Sequence, residues 1–113
     1  MTEEAATWFA ARLLFESVHP ADTVDDPLFE EQIVLLRAVD EPEAERKALA
    51  AGANAELEYK NEYGNSVVWT FRELLDLVTV FDADIKDGSE VYYCFLSGDE
   101  VHRLRKRFGK VAK

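Results

Sequence analysis

A chain of 113 residues that is 48% hydrophobic and 12% aromatic can build one modest core, which excludes a disordered chain and leaves no room for two full domains. Its net charge of −10 is unevenly spread: residues 1–100 carry 7 basic and 23 acidic side chains, whereas residues 101–113 carry six basic and no acidic ones. An acidic body of this kind repels nucleic acid and anionic membranes and attracts basic partners. Cys94 is the single cysteine, so neither an internal disulfide nor a cysteine-rich metal site can form. Glu3 and Glu4 stand where a signal peptide is basic, and Arg12 breaks the apolar stretch that follows. No run approaches the roughly 18 apolar residues of a membrane span, so a cytoplasmic protein is expected.

Taken in order, Trp8–Val18 alternates, with Phe9, Ala11, Leu13 and Phe15 on one face and Trp8, Arg12 and Glu16 on the other, which predicts a first strand. His19–Pro27, with two prolines and three aspartates, reads as a loop. Leu28–Val39 is the second strand, and its apolar Ile33–Leu36 centre suggests burial on both faces. Asp40–Gly52 is a helix. Asp40 can cap it, Glu43 can reach back, Pro42 suits a first turn, and Glu43 can pair with Lys47 one turn on. Its apolar face is Ala44, Ala48 and Ala51 with Leu49 beside them, small enough to lie close on a sheet, and Gly52 or Asn54 should end it.

Glu56–Glu62 and Ser66–Phe81 read as a hairpin turning near Tyr63-Gly64-Asn65. The second of these strands is the longest apolar-rich run. Val67, Trp69, Phe71, Leu75, Leu77 and Phe81 recur at odd positions, while Thr70, Arg72 and Asp76 interrupt the even set. A helix from Thr70 competes, since Thr70 and Glu73 fit a capping box, but the β-branched Val78, Thr79 and Val80 favour a strand. The alternation slips at Glu73-Leu74, where a bulge is expected. Asp82–Gly88 is a turn, Ser89–Ser97 a fifth strand with Cys94 buried in it, and Asp99–Phe108 a terminal helix with Val101, Leu104 and Phe108 on one stripe. The predicted fold is therefore α+β, in the order ββαβββα. It comprises a mostly antiparallel five-stranded sheet with one helix on a face, over residues 1–97, followed by a basic helix and tail over 98–113.

Several short patterns occur together along the chain: Trp8-Phe9-Ala10, Leu28-Phe29-Glu30-Glu31, the G-x-x-V-x-W-x-F segment from Gly64 to Phe71, and the D-G-x-E-V segment from Asp87 to Val91. In these the chain resembles a family of small bacterial proteins, a domain of unknown function numbered 4288, over roughly residues 7–96. The resemblance implies a strand at Ser66–Phe81 and no particular activity. The tail from Gly98 lies outside it.

Few residues suggest chemistry. Glu30 and Glu31 are adjacent on a strand and so point to opposite faces, which prevents them from sharing a pocket. The acidic turn after Phe81 has neither the spacing nor the twelfth-position glutamate of a calcium loop, because Tyr93 stands there. His19 and His102 have no serine, cysteine or acid at diagnostic spacing. Phosphate-loop, dinucleotide and zinc-protease motifs are all absent from the sequence. No catalytic residue, metal site or cofactor is therefore predicted.

A sheet with one helix has a second face, and here it carries Arg12, Glu16, Thr70, Arg72 and Asp76 among apolar groups. Arg12, Glu16, Arg72 and Asp76, together with Arg103 and Arg107 of the terminal helix, are the candidate binding residues. Basic residues 103–107 lack interleaved aromatics, so docking of the tail onto the acidic body, or a free solubilising tail, is expected rather than nucleic-acid binding. The expected function is a cytoplasmic protein-interaction module for a basic protein partner. The alternative is a small-ligand binder or small enzyme with its pocket between helix and sheet. A homodimer is expected, with the fifth strand and terminal helix near its two-fold axis.

Overall fold

The computed structural model describes residues 6–18 and 28–107, with the side chain of Arg107 outside that set. Six elements follow in order: β1 (Thr7–Val18), β2 (Phe29–Ala38), α1 (Glu41–Asn54), β3 (Leu57–Lys60), β4 (Ser66–Val80) and α2 (Gly98–Arg107). The four strands form one antiparallel sheet in the order β2-β1-β4-β3. The chain leaves β2 at one edge, crosses the sheet in α1, and re-enters as β3 at the other edge. β2 and β3 run in opposite directions, so the handedness rule for parallel crossovers does not apply. The loop 19–27 with His19, and Phe108 of the expected apolar stripe, lie outside the described residues.

The helix forms where the residues call for it. Asp40 Oδ1 accepts from Glu43 N at 3.0 Å, and Glu43 Oε1 accepts from Val39 N at 2.7 Å, a reciprocal cap displaced by one residue from the usual box. Ala44, Ala48 and Gly52 are buried, one to each turn, and lie on the sheet. Beneath them the odd residues of β1 form the core: Ala11, Leu13 and Phe15 pack with Ala48, and Phe9 packs with Ala38 and Ala44. Leu49 points outward and is exposed, and Lys47 donates to the Arg37 carbonyl instead of pairing with Glu43. The helix runs through Gly52 to Asn54. Gly52 is a packing residue rather than a terminator: a Cβ built there would lie 2.5 Å from the Phe71 ring.

Ser66–Val80 is a strand throughout, with no helix at Leu74–Val80. Trp69 and Phe71 both face α1, and the Phe71 and Phe15 rings meet at 5.5 Å. The pairing with β1 shifts register twice. Leu14 and Phe15 face Glu73 and Phe71, and Arg12 and Leu13 face Asp76 and Leu74, so Arg72 and Leu75 each lack a partner on β1. The two bulges bracket the expected slip. Each moves the alternation by one residue, so Leu74, not Leu75, faces the core, and together they return Leu77 to the helix face. Phe81 lies beyond the strand and is exposed. At the hairpin turn Gly64 has φ 82°, and Asn61 Oδ1 accepts from the backbone N–H of Tyr63 and Asn65.

Three further expectations, all about strands, fail. Ser89–Ser97 is not a strand; it runs as irregular chain, and the sheet has four strands. Its apolar residues lack alternation, and Cys94 and Phe95 are exposed. The dimer seam expected along a fifth strand therefore has no strand to form it. β2 is not buried on both faces either. It is an edge, with Val34 and Leu36 against the core and Ile33 and Leu35 exposed on the other side. The third strand spans only Leu57–Lys60, because Glu56 already uses its side chain, Oε2 accepting from Phe71 N at 2.9 Å.

Gly52→Ala tests the helix contact. Alanine gains roughly 1 kcal/mol over glycine in a helix interior, but overpacking against a rigid ring costs about 1–3 kcal/mol. Chemical denaturation should show net destabilisation, relieved in the Gly52→Ala/Phe71→Leu double variant beyond what simple addition allows. A stabilised Gly52→Ala protein would contradict the contact.

Candidate functional site

The sheet face opposite α1 carries Trp8, Ala10, Arg12, Leu14 and Glu16 of β1. Register brings Asp76 of β4 directly opposite Arg12, and Thr70 opposite Glu16. Arg12 pairs with Glu31 of β2, and Arg72, swung out by its bulge, donates from Nε to Glu16 Oε1 at 2.7 Å. Arg12, Glu16, Arg72 and Asp76 are thus brought together as the sequence suggested. Glu30 and Glu31 do point to opposite faces.

The chain after β4 returns across this face. Trp8 Nε1 donates to the Ala83 carbonyl at 3.2 Å, with the Arg37 guanidinium 5.3 Å above its ring. Asp82, Lys86 and Ser89 bond among themselves, with Gly88 at φ 90° completing the turn. Tyr92 then donates its hydroxyl proton to Asp76 Oδ2 at 2.8 Å, while Asp76 Oδ1 accepts from Leu77 N. Both carboxylate oxygens of Asp76 are therefore occupied. Partial burial, and then this hydrogen bond, push the Tyr92 pKa up to about 12. The hydrogen bond to Glu31 raises that of Arg12.

Ser97 opens α2 with a capping box: its Oγ accepts from Glu100 N, and Glu100 Oε1 accepts from Ser97 N at 2.8 Å, which lowers the Glu100 pKa. Arg103 lines a hollow of about 290 Å³ with Arg12, Leu96, Glu100 and Leu104, so of the sheet residues it meets Arg12. Arg107 is in the last turn of α2, with its side chain outside the described set. Sequence reasoning missed Glu31 and Tyr92 as partners in this cluster. Tyr92 lies 16 residues from Asp76 in irregular chain, and no local spacing signals such a pair.

A larger hollow, of about 520 Å³, lies on the helix side of the sheet. α1 has 14 residues and β1 has 12. At about 1.5 Å per helical residue and about 3.3 Å per strand residue, the helix reaches roughly half the strand's length. Where it stops, at Ala55, the far end of the sheet is left uncovered by the helix. Phe15 and Trp69 line the hollow there, flanked by Leu28, Phe29 and Leu57. Its polar members, Glu30 and Gln32, are hydrogen-bonded to each other at 3.3 Å. A third hollow, of about 380 Å³, lies between Glu41, Pro42 and Glu45 of α1 and Leu74–Leu77.

Among the described residues no group of three or more His, Cys, Asp or Glu side chains converges as metal ligands would, and no helix is long and apolar enough to cross a membrane. Its β1–β4 sheet, its helix α1 and the strap that follows make this a small α+β domain. Residues 8–93 match the family described as a domain of unknown function, DUF4288, and the chain belongs to that family. No curated protein and no solved structure matches it.

Tyr92 supplies a test of the strap. Its folded pKa lies above the unfolded value of about 10, so the stabilisation it carries is complete below about pH 10 and is lost between about pH 10 and 12. Alkaline titration followed at the tyrosinate absorbance should show one of the four tyrosines ionising late. That late component should vanish in Tyr92→Phe, whose melting temperature should also fall less steeply over the same interval. Four tyrosines titrating together would contradict the bond to Asp76.

Proposed function

We propose that this protein is a cytoplasmic protein-interaction module that receives a basic, apolar-anchored segment of a protein partner in the hollow at the uncovered end of the sheet. One observation carries the reading: Leu28 and Leu57 are 65% and 57% exposed around the half-buried Trp69. A cluster of large apolar side chains held open to water is what a docking surface requires. Charge supports it, since Glu30 lines the hollow, Glu56 and Glu58 flank Leu57, and the body as a whole is acidic. The ionic groups on the opposite face support binding rather than catalysis, because Arg12, Glu16, Arg72 and Asp76 are engaged with neighbours and none stands free as an acid or base.

The aromatic lining also supports a second reading, a small apolar ligand held between helix end and sheet. The two are separated by titrating Trp69 fluorescence with a peptide of alternating lysine and leucine and, separately, with the uncharged dye Nile red. The proposed function predicts saturable peptide binding that weakens severalfold at high salt, as screening of exposed charges requires. It also predicts about tenfold or greater loss in Leu57→Asp, the cost of about 1.4 kcal/mol or more at an anchor position. Salt-independent binding of the dye without the peptide would favour the second reading.

A further inference from the structure

Among the described residues the sheet has two free edges. β3 offers four residues ending at Lys60 and a turn, whereas β2 offers ten with no proline, glycine or lysine to discourage pairing. Ser17 N of β1 donates to Leu28 O at 2.8 Å, and Leu28 N donates to Ser17 Oγ at 3.2 Å, so Leu28 turns its backbone groups towards β1. The register between the strands is unbroken, so the other even residues of β2 do the same and the odd ones turn their N–H and C=O outward. Two contacts agree. The Arg37 carbonyl is reached by Lys47 Nζ, and the Val39 N–H by Glu43 Oε1, both from outside the sheet. The outward-bonding residues are thus Phe29, Glu31, Ile33, Leu35 and Arg37. The apolar ones stay 51%, 46% and 37% exposed, and Val39 just beyond the strand is 54% exposed.

We propose that β2 is the seam of a homodimer, pairing antiparallel with β2 of a second copy so that the two sheets become one of eight strands. One register stands out. With Val34 on the two-fold axis, Glu31 faces the partner's Arg37, Ile33 faces the partner's Leu35, and Phe29 faces the partner's Val39. Every exposed apolar residue from Phe29 to Val39 gains an apolar neighbour, and Glu31 gains a base. A shift by two residues in strand sum either way spoils this. Centred on Ile33, the strand sets Glu31 against Leu35 and Phe29 against Arg37; centred on Leu35, it sets Ile33 against Arg37. The Val34 register makes about eight backbone hydrogen bonds from groups that β1 does not use. Lys47 need not leave, because a carbonyl has a second lone pair. A second copy is the occupant these pairings select, and the proposal is independent of the hollow at Trp69.

Sedimentation of the full chain at tens of micromolar should give a dimer. Leu35→Pro removes an outward N–H that β1 does not need, and prolines are tolerated on edge strands. It should give a monomer with unchanged circular dichroism. Cross-linking decides the register even where the proline lowers stability. In a Cys94→Ser background, Val34→Cys places two thiols across the axis within disulfide reach, whereas Ile33→Cys leaves its Cα atoms beyond about 7 Å. Mild oxidation should cross-link the first and not the second. A monomeric native chain, a dimer that survives Leu35→Pro, or cross-linking through Ile33 alone would overturn the proposal.

Discussion

The close approach of α1 to the sheet is the contact on which the rest depends. Ala44, Ala48 and Gly52 present almost no side chain, so the helix backbone rests nearly on Phe15, Phe71 and Leu77. Gly52 sets the height, because the Phe71 ring fills the space a Cβ would take. Small residues bury little area themselves. The core is built instead from the large residues of β1 and β4 beneath them, with the helix as a lid of the right thickness. A lid of 14 residues on strands of 12 and 15 cannot reach both ends. The hollow around Trp69 is the geometric remainder.

The opposite face is closed by different means. Both bulges in β4 matter here, since one frees Arg72 to reach Glu16 and the pair of them sets Asp76 against Arg12. With Asp76 placed, Tyr92 has an acceptor and the strap has a second anchor beside Trp8 and Ala83. The exposed pairs Arg12–Glu31 and Arg72–Glu16 each contribute little, about 0–1 kcal/mol. Their effect is orientation: they hold long side chains flat beneath the returning chain. Ala10, fully buried on this face, marks how closely the face is covered there.

β2 stands between the two faces and is covered by neither. Its even residues reach the core or the hollow, and its odd residues face the strap side with large apolar groups exposed. Its last residues are attended by Glu43 and Lys47 reaching down from α1. The surface open to other molecules is therefore concentrated on one strand and at one end of the sheet.

Much of this was determined by the sequence alone. The alternation in Trp8–Val18, the cap at Asp40, the alanine face of the helix, the Gly64 turn and the slip at Glu73-Leu74 are local signals, and each follows from backbone period or turn chemistry within a few residues. The gathering of Arg12, Glu16, Arg72 and Asp76 on one face was legible for the same reason. Only the tertiary structure decided the rest. Val91–Leu96 is apolar enough for a strand, but a strand exists only where an edge accepts it, and the sheet's edges are β2 and β3. Ile33 and Leu35 look buried in sequence and stand exposed, because burial is set by an element's position in the sheet rather than by its composition. Gly52 reads as a helix terminator until Phe71, 19 residues on, is placed beneath it. The partnership of Tyr92 with Asp76 likewise depends on a chain reversal that no local pattern encodes.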